Sequence, residues 1–126
     1  MQLERINYPA LAAPVGPYVH AVKHQHTLYL SGLTAFGSAA QGQPVAQQAA
    51  EIFRQIAAIA AAEGSDLGSL IKVTAFVTSF DDIDSLRLAL FEIYQQRLPA
   101  SSLVQVAALF SPAIDIEIEA ILALPR

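Results

Sequence analysis

The chain has 126 residues, no cysteine and a net charge of −4, and 54% of its residues are apolar while only 14% are charged. The lack of cysteine excludes disulfides, thiolate metal sites and cysteine nucleophiles. Seven scattered basic residues disfavour a nucleic-acid partner, and no apolar run is long enough to span a bilayer. We therefore expect one cytoplasmic domain over residues 1–126, with part of its apolar surface buried in an oligomer.

The first third of the chain predicts three strands. A short strand is expected over residues 3–6, followed by a loop over residues 9–17 that contains three prolines. Residues 18–30 alternate in polarity, which is typical of strands, and His24-Gln25-His26 interrupts the pattern. The segment is therefore expected to form two strands joined by a hairpin turn.

The rest of the chain predicts two helices and three strands. Apolar residues at three- and four-residue spacing indicate a helix over residues 44–63, capped by Gly64, with a polar side. That side is expected to hold Gln47, Gln48, Glu51, Arg54 and Gln55. A second helix is expected from Asp81 to about residue 96, between strands over residues 70–79 and 102–108, and a last strand covers residues 114–124.

This order, β-β-β-α-β-α-β-β, predicts an α+β fold in which two helices cover one face of a mixed sheet. In the strand over residues 70–79, one face is expected to carry Ile71, Val73, Ala75 and Val77. The sheet face away from the helices is expected to be largely apolar and uncovered within one chain. That face again favours partner subunits.

Two groups of side chains invite a chemical interpretation. His20 and His24 would lie roughly 13 Å apart on one strand, too far for one metal ion, so exposed turn histidines are favoured over a metal site that includes His26. Glu117 and Glu119 would lie roughly 7 Å apart, a separation at which one carboxyl group can act as the acid and the other as the base. A solvated strand face explains the pair of glutamates equally simply and is favoured from the pattern alone.

Four segments together resemble the Rid (YjgF, reactive intermediate deaminase) family. Residues 16–22 read Gly-Pro-Tyr-Val-His-Ala-Val, and residues 28–32 read Leu-Tyr-Leu-Ser-Gly. Residues 70–77 follow the Gly64 cap as Leu-Ile-Lys-Val-Thr-Ala-Phe-Val, and residues 116–121 read Ile-Glu-Ile-Glu-Ala-Ile. The resemblance covers essentially the whole chain in order, spacing and length.

The resemblance implies a chorismate-mutase-like fold and a homotrimer built around a central β-barrel, with the helices outside. It also implies a small-molecule cleft between each pair of subunits. Active members of the family hydrolyse reactive enamines and imines to ammonia and a 2-keto acid, without a metal or an organic cofactor. We therefore expect this chain to have itself and a small-molecule ligand as partners.

The residues implied for the site are only partly those of the family. Glu117 matches the water-orienting glutamate, Tyr18 the pocket tyrosine and Gly32 the turn glycine. The family's substrate-binding arginine is replaced by Ser101, and positions that are often glutamine and asparagine hold Leu33 and Leu88. Arg97, four residues before Ser101, is a weaker candidate for the missing cation.

The substitutions leave more than one functional hypothesis open. Because Ser101 carries no charge, the first is a Rid protein that is not an ordinary 2-imino-acid deaminase and that binds or hydrolyses a small imine-like or neutral metabolite. The alternatives are an active deaminase in which Glu117 orients water, and a non-catalytic binding or regulatory protein. The net charge of −4 disfavours a ribonuclease.

Overall fold

The computed structural model describes residues 2–125. It confirms an α+β architecture: a six-stranded sheet in the order β1-β2-β3-β6-β4-β5, with two α-helices. Only β4 and β5 run parallel, because α2 crosses between them, and the other neighbouring strands are antiparallel. The elements are β1 (Glu4–Ile6), β2 (Ala21–His24), β3 (Thr27–Leu30), α1 (Val45–Ala62), β4 (Leu70–Val77), α2 (Ile83–Tyr94), β5 (Ala100–Gln105) and β6 (Ile116–Ala123).

One apolar core joins both helices to one face of the sheet. Alternate residues of β6 are buried, as its polarity pattern predicts, and α1 adds its own apolar stripe. Gly64 ends α1 with a φ of +76°, a conformation that glycine adopts without strain. The core includes Leu28, Ile52, Ile56, Leu86, Ile116, Ile118 and Leu122.

The strand expected from residue 18 begins later, at Ala21. The backbone N–H of His20 donates to Asn7 Oδ1 at 2.9 Å, and its ring accepts from the N–H of Tyr8. The backbone oxygens of Val19 and His20 still accept from Ser31, the residue after β3, so the chain before Ala21 is bonded on one side to the N-terminal loop and on the other to the end of β3. The hairpin turn is confirmed at Gln25 and His26, between the paired residues His24 and Thr27.

Ile71 does not share the face of Val73. The register of β4 against β6 shifts between Leu70 and Lys72, which is a bulge. Leu70 therefore points into the core, while Ile71 is 46% exposed. Strict alternation predicted the opposite because it assumes a regular strand.

The sheet face away from the helices is exposed but mixed rather than largely apolar. The register places Phe76 opposite Glu117 and Thr74 opposite Glu119 on that face. Lys72 Nζ donates to Ser102 Oγ across neighbouring strands at 2.7 Å. Apolar residues of the same face are Val22, Tyr29, Val104 and Ile121, of which Tyr29 and Val104 are more than 40% exposed.

Gln48 was expected on the polar side of α1 but is completely buried. Its carboxamide nitrogen donates to Gln43 O at 2.8 Å and to Asp115 Oδ2 at 2.9 Å, and its oxygen accepts from the Asp115 N–H at 2.9 Å. Three hydrogen bonds offset the cost of burying the amide. Gln48 thus ties α1 to the segment that enters β6.

Gln48→Leu is expected to destabilise the fold by about 2–4 kcal/mol, because it leaves a buried N–H and a carboxylate of Asp115 without their partner. Urea unfolding measures this loss. Gln47→Leu is the matched control, since Gln47 is its exposed neighbour on the same helix. Equal effects of the two substitutions would contradict a structural role for the buried amide.

Neither helix of the described chain combines the length and the apolar character needed to cross a membrane.

Candidate active site

A cavity of about 660 Å³ lies where the N-terminal loop, the segment after β3 and the outer side of α1 meet. Tyr18, Gly32, Leu33 and Glu117, four residues predicted from the sequence, line this cavity. They come from three separate parts of the chain. The fold therefore brings together most of the residues that the family resemblance selected.

The carboxylate of Glu117 packs directly over the Cα of Gly32. A Cβ built at Gly32 would overlap the Oε2 and Cδ atoms of Glu117, so any larger residue at position 32 would displace the carboxylate from this position. Glu117 is half-buried, and its burial raises the pKa of the carboxyl, with a smaller contribution from the charge of Glu119. A carboxylate held in this way is suited to exchanging a proton with a bound molecule.

Leu33 and Tyr18 contribute differently from each other. Leu33 exchanges backbone hydrogen bonds of 2.8 and 3.0 Å with Ile118, and this bridge turns its side chain into the core. Leu33 thus borders the cavity while its side chain, 8% exposed, packs mainly in the core. Tyr18 stays 45% exposed, and its hydroxyl accepts from the Val15 N–H at 3.4 Å.

His20 is a buried residue that holds the loop lining the cavity, not an exposed turn histidine. Its Nδ1 accepts from the Tyr8 N–H at 2.9 Å, so the ring proton lies on Nε2 and donates to Ala12 O at 2.8 Å. The ring also stacks on Tyr8. Both nitrogens are occupied, and within residues 2–125 no three His, Asp or Glu side chains group closely enough to hold a metal ion.

Leu88 and Ser101 do not reach this cavity within one chain. Leu88 lies on α2 and is 64% exposed. Ser101 lies opposite Val73, on the helix-facing side of the edge strand β5. Glu117 lies opposite Phe76, on the other face of the sheet. Only a second copy of the chain could bring a Ser101 to this cavity.

Arg97 makes its contacts outside this cavity, at Gly68 and Asp66. Its guanidinium covers the backbone of Gly68, where any side chain would collide with it, and its Nη1 lies 3.4 Å from Asp66 Oδ1. Arg97 does not line the cavity. Within the described part of one chain, it does not take the place of the missing arginine.

Three polar residues of α1 line the cavity, which the helical periodicity alone did not predict: Glu51, Arg54 and Gln55. Arg54 donates from Nε and Nη2 to the two carboxylate oxygens of Glu51, each at 2.8 Å, and this guanidinium holds the pKa of Glu51 below its usual value. Gln55 Nε2 donates to Glu51 Oε2 at 2.9 Å and to Thr34 O at 3.1 Å. Their helical spacing indicated a polar face, but not that a cavity lies beside it.

The family of the chain follows from its sequence as a whole. Residues 9–124 match the family described as Endoribonuclease L-PSP. The chain belongs to this family, the Rid (YjgF) family. The resemblance that the four segments indicated is thereby confirmed.

Relatives of this Rid-family chain include deaminases. A 2-iminobutanoate/2-iminopropanoate deaminase of Dermatophagoides farinae is 31% identical over 122 residues, which cover 94% of each chain. The protein of the same name from Rattus norvegicus is 33% identical over 112 residues, covering 86% of this chain and 81% of its own.

Solved structures confirm the chorismate-mutase-like fold. RidA from an Antarctic Psychrobacter species superposes with a TM-score of 0.86 at 31% identity, covering 96% of this chain and 99% of its own. The YjgF gene product of E. coli gives a TM-score of 0.84 at 30% identity, covering 98% and 99% of the two chains. The Rid-family chain therefore shares its whole architecture with these proteins.

Proposed function

We propose that this Rid-family chain forms a homotrimer with small-molecule clefts between its subunits, and that Glu117 orients water there to hydrolyse the C=N bond of a small imine. The observation that carries the proposal is the half-buried Glu117 carboxylate packed over Gly32, in a cavity that Tyr18 also lines. The names of the D. farinae and R. norvegicus relatives support the same reaction class.

The chemistry needs only groups that the chain supplies. Glu117 accepts a hydrogen bond from water, whose oxygen adds to the imine carbon while the carboxylate takes its proton. Glu117 then returns that proton to nitrogen, which gives a carbinolamine. Glu117 next takes the remaining hydroxyl proton and passes it to the amine as the carbonyl forms and the C–N bond breaks, so that ammonia and a carbonyl compound leave. The half-buried position of Glu117 raises its pKa and so makes the carboxylate a stronger base for the first of these proton transfers.

The homotrimer would complete the cleft. Ser101 and Leu88 lie on exposed surfaces away from the Glu117 cavity of their own chain. A neighbouring subunit could place both residues beside that cavity, while the exposed sheet face that carries Tyr29 and Val104 would be covered at the trimer centre.

The uncharged Ser101 makes an ordinary 2-imino-acid deaminase the less favoured assignment. A serine hydroxyl donates one neutral hydrogen bond, whereas a guanidinium donates two charge-assisted bonds to a carboxylate. Binding of a short imino acid at position 101 should therefore be weak. The same substitution favours the second candidate, a cleft that binds a ligand without turnover.

Ammonia release from 2-iminobutanoate, generated in situ by a dehydratase, tests the proposal. The parent protein is expected to be slow, and Ser101→Arg is expected to raise kcat/KM by about 100-fold because it adds a charged, bidentate donor. Ser101→Gln is the matched control, since it adds length and hydrogen-bonding groups without charge.

Three results would each overturn a part of the proposal. A parent protein that is already fast would overturn the assignment against an ordinary 2-imino-acid deaminase, and a Ser101→Arg variant without any gain would separate position 101 from the cleft. Light scattering that reports a monomer in solution would remove the shared cleft itself.

A further inference from the structure

Arg54 is a cation in the cavity that also holds Glu117. A guanidinium has five N–H donors and two edges that can each hold a carboxylate. Glu51 occupies the edge formed by Nε and Nη2. Within residues 2–125, Nη1 donates to no acceptor, so the edge formed by Nη1 and the second Nη2 hydrogen is free for another carboxylate.

The Glu51 carboxylate that pairs with Arg54 is held by a second partner, although the Arg54 side chain itself is 66% exposed. The side chain of Glu51 is only 14% exposed, and Gln55 bonds both to it and to the backbone oxygen of Thr34. Thr34 lies two residues beyond Gly32, over which the Glu117 carboxylate packs. The hydrogen bonds therefore link the orientation of Arg54 to the segment that carries the Glu117 site.

The cavity also has an exposed aromatic wall. Phe36 and Phe110 both line it and contact each other edge to face, with ring centroids 5.1 Å apart. They are 48% and 59% exposed, which is unusual for large apolar side chains in contact. A four-carbon imino acid has too little apolar surface to cover two rings, whereas a ligand with a bulky apolar group would cover them.

From these features we infer that the ligand is a carboxylate with a large apolar side chain, whose carboxylate binds the free edge of Arg54 and whose side chain packs on Phe36 and Phe110. The inference rests on the proposed function for the location of the site and adds the substrate class. Arg54, on α1, then supplies the cation that position 101 lacks. Short 2-imino acids are too small to pack on both Phe36 and Phe110.

Unreactive ligands test this inference without relying on turnover. In calorimetric titrations the parent protein is expected to bind 3-phenylpropanoate at least about 10-fold more tightly than 3-phenylpropanamide, which lacks the charge, or butanoate, which lacks the ring. Arg54→Gln should remove the preference for the acid over the amide, and Arg54→Lys should keep part of it, because lysine retains the charge but not the planar fork.

Arg5→Gln is the matched control, because Arg5 is an exposed arginine on β1 that does not line the cavity. Thermal melts of each variant show whether it is folded. An acid preference that survives Arg54→Gln, or equal affinities for 3-phenylpropanoate and butanoate, would overturn the inference. Acid-selective binding that depends on Arg54 supports it even if no imine is hydrolysed, so its failure and that of the proposed hydrolysis are distinguishable.

Discussion

Glu117→Gln, made in the Ser101→Arg protein, is expected to lower kcat/KM for imine hydrolysis by about 10²–10⁴-fold, because an amide cannot accept the proton of the attacking water. The same substitution should raise the melting temperature at neutral pH. It replaces a half-buried carboxylate whose charge is disfavoured by burial and by Glu119. Ammonia release and thermal unfolding measure the two effects.

The pH dependence has a definite sign. The folded protein holds the Glu117 proton more tightly than the unfolded chain does, so this group stabilises the fold most below its unfolded pKa, and that stabilisation is lost as the pH rises through the raised folded pKa. The hydrolysis rate should fall as the pH drops through the same raised pKa. Glu117→Gln should abolish the part of the pH dependence of stability that comes from Glu117.

Glu119→Gln is the control for these experiments. Glu119 lies two residues along the same strand, is exposed and faces the same side, so its loss changes the total charge equally. A rate close to that of the Ser101→Arg parent is expected. If Glu119→Gln slowed hydrolysis as much as Glu117→Gln, the general charge of the face rather than Glu117 would be responsible.

Gly32→Ala should lower kcat/KM by about 100-fold in the same Ser101→Arg background, because the new methyl group occupies the space of the Glu117 carboxylate and forces it to move. Gly32 has an ordinary negative φ, so the alanine backbone itself is not strained. Circular dichroism should therefore show a folded protein, and the change should be confined to the activity.

A double-mutant cycle separates this effect from a general distortion. In the Glu117→Ala background no carboxylate remains to be displaced, so Gly32→Ala should cost little further activity. A second, equally large loss in that background would show that Gly32 is needed for another reason, such as backbone contact with the ligand.

The sequence by itself determined most elements of the fold. The alternation in residues 114–124 and the three- and four-residue spacing in residues 44–63 record burial on one face, which is a property of the local chain. These patterns located β6 and α1 to within about two residues. The family resemblance, carried by short motifs, selected Glu117, Gly32 and Tyr18, which the structure brings to one cavity.

Tertiary contacts decided the exceptions. The start of β2 depends on hydrogen bonds from the N-terminal loop to His20, and the burial of Gln48 depends on Asp115, which is 67 residues away in the chain. The polarity of neighbouring residues does not show which distant residues will become hydrogen-bond partners. For the same reason Gln48 and Arg54 looked alike in the sequence, as polar residues of one helix.

Only the packed structure distinguishes the two residues. The entry to β6 covers Gln48 and pairs its amide, whereas the segment after β3 leaves a cavity beside Arg54. A helix carries its polar pattern in its sequence, but the segments that pack beside it come from distant parts of the chain. The sequence therefore determined the helix and its polar face, and the tertiary structure decided which polar side chain became part of the core and which lines the site.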